Sequence, residues 1–105
     1  MPRPPGRSRR RNAGFAAIRL RAVIEVVVYH ATDCHLCDRA LAQVRALRDE
    51  LGFELRDILI DGDPELEAEY REWIPVVEID GVRRFTYFVH EGAFRRAVAQ
   101  AAAGS

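Results

Sequence analysis

Apolar positions along the chain switch between two periods, and the switches mark out the elements. Val23 to His30 is a β-branched run with apolar residues on both faces, which predicts a strand buried on both sides in a parallel or mixed sheet. Ala31-Thr32-Asp33 reads as a turn, with Thr32 or Asp33 placed to cap a helix. From Leu36 onward apolar residues recur at Ala40, Leu41, Val44, Leu47 and Leu51, the three-four spacing of one helical face. Gly52 then falls where a left-handed residue closes a helix.

The second half repeats this logic with different punctuation. Phe53 to Ile60 predicts a second strand. In Asp61-Gly62-Asp63-Pro64, Asp63 is the expected N-cap and Pro64 the first helical residue. A short acidic helix from Glu65 to about Trp73 is expected to turn Leu66, Tyr70 and Trp73 inward. Ile74-Pro75 breaks it. Val76 to Ile79 and Arg83 to Val89 read as strands joined by a tight Asp80-Gly81 hairpin. A last helix, Glu91 to about Ala102, places Phe94, Ala97, Val98 and Ala101 on one face. The order βαβαββα defines an α/β fold with a four-stranded mixed sheet, the first two strands parallel and the last two antiparallel. No internal repeat interrupts it.

Composition narrows the class. The chain has 105 residues, 49% hydrophobic and 30% charged, enough for one domain with its own core. No apolar stretch approaches the roughly 20 residues of a membrane-spanning helix, and no secretory signal is visible. Formal net charge is zero, but it is unevenly spread. Residues 1–22 carry seven arginines and no acid, whereas residues 23–105 carry nine arginines against sixteen acids, a net −7. The Arg- and Pro-rich stretch over residues 1–21 is expected to be a disordered arm, and residues 22–105 the folded domain. An acidic domain argues against nucleic-acid binding. A cytoplasmic monomer with no membrane association is the expectation.

The chemistry rests on the only two cysteines, Cys34 and Cys37, spaced Cys-His-Leu-Cys at the expected strand-to-helix junction. Two thiols so placed can pair with each other, and a helix N-terminus stabilises a thiolate. In a reducing compartment such a pair is catalytic or metal-binding more often than structural. A metal reading would add His30 or His35 as further ligands. A structural pair is the third reading. His30, at the end of a buried strand, reads more simply as a hydrogen-bonded core or rim residue. His90 caps the last helix in the plain reading.

Here the residues carry a family likeness. The run Val28-Tyr-His-x-x-x-Cys-His-Leu-Cys-Asp38, the later Glu-Leu-Gly-Phe-Glu-Leu and Asp-Gly-Asp-Pro-Glu-Leu, and Ile74-Pro75 before the third strand resemble the small bacterial glutaredoxin-like proteins. The likeness spans about residues 23–102 and implies the thioredoxin-like fold in its minimal glutaredoxin form. It implies a thiol–disulfide oxidoreductase, with Cys34 attacking a substrate disulfide and Cys37 resolving the mixed disulfide. It implies a cis Pro75 packed against the cysteines, and backbone at Ile74 and Pro75 that pairs with an extended substrate. His35 would favour the Cys34 thiolate and Asp33 would oppose it. The alternative function is metal or iron–sulfur-cluster binding through the same cysteines.

This sequence departs from typical glutaredoxins in three places. Ala31-Thr32-Asp33 stands where a basic residue meets glutathione, and Val89-His90-Glu91-Gly92 where a Gly-Gly-x-Asp stretch is usual. The dipeptide between the cysteines is His-Leu. No bound cofactor or metal is expected, and glutathione is retained only as a candidate co-substrate. The expected partner is a protein or small molecule carrying a disulfide.

Overall fold

The computed structural model describes residues 23–104. The arm expected over residues 1–21 lies outside the described residues. Within them the element order is β1 (Glu25–His30), α1 (His35–Leu51), β2 (Glu54–Leu59), α2 (Pro64–Tyr70), β3 (Val76–Ile79), β4 (Val82–Thr86) and α3 (Glu91–Ala103). The four strands form one sheet in the order β2-β1-β3-β4. β1 and β2 are parallel, and β3 runs antiparallel to both β1 and β4. This is the βαβαββα order and mixed sheet read from the sequence.

The sheet separates two apolar clusters. On one face Val26 and Val28 of β1 and Val77 and Ile79 of β3 meet Ala40, Leu41, Val44 and Leu47 of α1 and Phe94, Ala97 and Val98 of α3. On the other, Ile60, Tyr70, Val76 and Ala31 cluster with Tyr29, Leu66 and Ile74. Alternate β1 residues thus serve opposite faces, as the pleat of a central strand requires. Local signals hold at the helix ends: Gly52 closes α1 at φ 80°, and the Asp63 carboxylate accepts from the Glu65 and Leu66 amides at 3.1 Å. Asp80 and Gly81, at φ 49° and 81°, form the hairpin turn between β3 and β4.

Three boundaries differ from the sequence reading, each for a local reason. β4 stops at Thr86 rather than Val89, because Tyr87 takes a left-handed backbone (φ 68°) and the Phe88 amide turns back to the Thr86 carbonyl at 2.7 Å. α2 stops at Tyr70, and Trp73, expected in the core, is 43% exposed in the turn that follows. α1 is capped by Cys34 itself rather than by Thr32 or Asp33. Asp33 sits at φ 57°, which moves the cap one residue on.

Candidate functional site

The site forms where β1 gives way to α1. β1 stays paired as far as His30, and the loop 31–33 then delivers Cys34 with extended backbone (φ −120°, ψ 103°) to the N-cap of α1. Its sulfur accepts the Cys37 amide at 3.1 Å, so a donor left free by the helix start points at Cys34 Sγ. Cys37 falls on the buried α1 stripe of Cys37, Ala40, Leu41, Val44 and Leu47 and is wholly inaccessible. Cys34 is partly exposed and His35 exposed. The two sulfurs are joined in a disulfide, with Cα atoms 5.1 Å apart. One sulfur of the pair can be approached, and the other is sealed beneath it.

Opposite this turn lies the Ile74-Pro75 loop. Its peptide bond is cis, as the sequence resemblance implies, and Pro75 is fully buried. Register fixes its place: Val76, the first residue of β3, pairs with Tyr29 on β1 and with Thr86 on β4. Pro75 therefore lies beside the end of β1 from which the cysteine loop departs. The ladder begins only at Val76, so Ile74 contributes nothing to it. Ile74 and Ala31 share the same apolar cluster, which ties the two loops together. The Pro75 carbonyl is taken by the Tyr87 amide at 2.9 Å, and the Tyr87 hydroxyl donates to the Glu72 carbonyl at 2.7 Å.

Side chains at the rim add an acidic support. The Asp61 carboxylate receives the Thr32 amide at 3.4 Å, linking the loop after β2 to the cysteine loop. Hydrogen bonding from Thr32, with help from the Arg71 guanidinium and His30, holds the Asp61 carboxyl below the usual carboxylate range. His30 Nε2 is buried without a hydrogen bond and stops 3.6 Å from Asp57 Oδ1, while Arg45 approaches the same carboxylate at 3.4 Å. His30 is thus a rim residue, lacking the hydrogen bond expected of it. Tyr70 stacks on Tyr29 at 3.9 Å, and burial is the main reason its hydroxyl is held well above the usual phenol range. His90 occupies the N-cap of α3 but makes no side-chain cap bond.

Sequence reasoning singled out Cys34, Cys37, Asp33, His35, Ile74 and Pro75, and all six lie at one end of the sheet. It passed over Asp61 and Tyr87, whose bonds run to backbone groups distant in sequence and leave no local pattern. Exposed apolar side chains concentrate at the same end. Of the six large ones among the described residues, Leu59, Trp73, Tyr87 and Phe88 end or follow the elements meeting there, whereas Val23 and Val82 lie at the other end.

A parallel βαβ unit, a hairpin and a closing helix, with a cysteine pair capping the first helix beside a cis proline, define a thioredoxin-fold protein. Thioredoxins from Fasciola hepatica (TM-score 0.55, 21% identity, 83% of this chain and 88% of that one) and thioredoxin f2 of Chlamydomonas reinhardtii (TM-score 0.58, 12% identity, 74% and 78%) share the fold. The solution NMR structure of a Nitrosomonas europaea protein matches at TM-score 0.62 and 30% identity, over 71% of this chain and 91% of that one. The glutaredoxin-like domain family (DUF836) matches residues 25–99, and uncharacterized proteins of Mycobacterium tuberculosis and Mycobacterium bovis are 35% identical over 77 residues, 69% of this chain and 79% of theirs. The chain belongs to the glutaredoxin-like domain family. Family, fold and the Cys34–Cys37 disulfide together support a redox-type thiol function.

Proposed function

We propose that the protein is a thiol–disulfide oxidoreductase acting on disulfides in proteins or small molecules. The observation that carries this reading is the asymmetry of the pair: Cys34 is approachable and receives a helix amide at 3.1 Å, while Cys37 is sealed. In the reduced protein the Cys34 thiolate attacks one sulfur of a substrate disulfide, and the other substrate sulfur leaves as a thiolate. The Cys37 thiolate then attacks Cys34 Sγ, expels the second substrate sulfur and forms the Cys34–Cys37 disulfide. Two electrons pass to the substrate. A reducing thiol, with glutathione as one candidate, returns the pair to the dithiol.

The Cys37 amide and the α1 N-terminus favour negative charge on Cys34. We assign exposed His35 a supporting role in this and Asp33 an opposing one. Ile74 and Pro75 form the edge along which an extended substrate backbone lies, an assignment supported by the absence of Ile74 from the ladder. The alternative, metal or iron–sulfur-cluster binding, would use the same two cysteines, with ligands from a second copy of the chain completing the set. Among the described residues no three His, Cys, Asp or Glu side chains come together in a way that could hold an ion.

The deciding experiment is a titration of the purified protein in redox buffers, read by thiol labelling and intact mass, with metal analysis on the same sample. A reversible two-electron transition of Cys34 and Cys37 is expected. A stoichiometric metal or cluster with no such transition would replace this reading with the metal one.

A further inference from the structure

Tyr87 is held in an unusual way. Aromatic residues seldom adopt left-handed backbone, and where one does, the surrounding contacts fix it there. Tyr87 sits at φ 68° immediately beyond β4. Its amide donates to the Pro75 carbonyl at 2.9 Å, and its hydroxyl donates to the Glu72 carbonyl at 2.7 Å. Its ring lies against Trp73, with centroids 6.2 Å apart. One residue therefore grips both ends of the segment Glu72-Trp73-Ile74-Pro75, and α2 has already ended at Tyr70. Within that segment the Trp73 amide is tied back to Tyr70 at 2.8 Å, while Ile74 is absent from the β1–β3 ladder. Glycine would take this backbone freely but would supply no hydroxyl.

We propose that Tyr87 is a positioning residue for the Ile74-Pro75 edge, setting how well the protein receives polypeptide disulfides as opposed to small ones. This rests on the oxidoreductase reading above. A polypeptide must lay its backbone along the edge, so it feels any loosening of the Glu72–Pro75 segment. A small disulfide needs only Cys34, and is indifferent to it. Sequence patterning gave no hint of this, since Tyr87 reads there as one more alternating strand residue.

The test compares wild type with Tyr87→Phe, which removes the hydroxyl while keeping ring and backbone, and with Tyr87→Gly, which relaxes the backbone and removes the ring. Substrates are insulin and hydroxyethyl disulfide, with dithiothreitol as reductant. Trp73, the only tryptophan of the chain, reports on the segment through acrylamide quenching of its fluorescence. For Tyr87→Phe, KM for insulin should rise about two- to tenfold, the factor for one ordinary hydrogen bond. Its kcat and its rate with hydroxyethyl disulfide should stay near wild type, and Trp73 should quench more readily. Tyr87→Gly should raise KM further even if its melting temperature matches wild type. Unchanged insulin kinetics in both variants, or an equal loss on both substrates, overturns the positioning role and leaves the oxidoreductase reading standing. A wild-type protein inert toward both substrates overturns the two together.

Discussion

At Cys34 three facts converge on a single sulfur: N-cap position, partial exposure and an incoming amide at 3.1 Å from Cys37. Each favours a thiolate that substrate can reach, and none applies to buried Cys37. Replacing the two should therefore have unequal effects. Cys34→Ser is expected to abolish disulfide reduction, whereas Cys37→Ser should still attack and accumulate a mixed disulfide, visible as a mass adduct that a reducing thiol releases. Loss of activity in both variants without any adduct would refute the assignment of roles. Asp61 offers a second test at this scale. Its carboxylate holds the Thr32 amide two residues before Cys34, so Asp61→Ala, which removes the acceptor, should slow reduction by letting the cysteine loop move. Equal rates for Asp61→Ala and wild type, measured with hydroxyethyl disulfide, would show that the loop needs no such support. Neither Asp61 nor Tyr87 was legible in the sequence. Cys34, Cys37 and Pro75 were, because a cysteine spacing or a proline constrains its neighbours directly, whereas a carboxylate or hydroxyl bonded to distant backbone imposes no local pattern.

Between elements, the clearest polar link joins the two helices that share a sheet face. Arg95 of α3 meets Glu50 of α1 through two hydrogen bonds, at 2.8 and 3.0 Å. The Arg95 hydrogen bond is the main reason the Glu50 carboxyl is held below its ordinary value of 4.5. Because the folded pKa is depressed, the unfolded chain binds more protons between the two values, and stability rises with pH there. The contribution is complete above the unfolded pKa and disappears as pH falls through the folded one. Arg95→Ala should accordingly lower the melting temperature at neutral pH, with the gap closing below about pH 4, near the reference glutamate pKa. High salt should shrink the same gap, since both side chains are half-exposed. A difference independent of pH and salt would assign the effect to packing instead. The elements themselves were largely readable, because α1 and α3 each bury one three-four stripe and β1 has the buried β-branched run Val26-Val27-Val28 at its centre. What failed was the reach of β4 and α2. Phe85-Thr-Tyr-Phe-Val89 and the stretch ending at Trp73 look like continuations, but the left-handed Tyr87 with its bonds to Pro75 and Glu72, and the short-range Phe88–Thr86 and Trp73–Tyr70 bonds, turn the chain away.

The molecule as a whole divides its work between two ends and two faces. One end of the sheet carries the cysteines, the cis proline and most of the exposed large apolar side chains among the described residues, and the faces carry the cores. Phe94 is central to the larger core. It is wholly buried, lies 5.5 Å from the Phe53 ring and 6.1 Å from that of Phe85, and so joins α3 to the segment entering β2 and to β4. Truncating such a ring leaves a cavity that a tightly packed interior fills only in part, and Phe94→Ala should cost about 3–5 kcal/mol. Domains of this size are stable by about 5–15 kcal/mol, so the variant should lose a large share of that margin. Val82→Ala, at an exposed hairpin position at the opposite end from the cysteines, should change stability by no more than about 0.5 kcal/mol. Urea unfolding followed by circular dichroism measures both, since a shift in midpoint at constant slope reads directly as stability. If Phe94→Ala cost less than about 1 kcal/mol, far below what such truncations remove, the two-face packing described here would be wrong. If instead it unfolded the chain while Val82→Ala left both stability and disulfide reduction intact, the division between a structural core and a reactive end would stand.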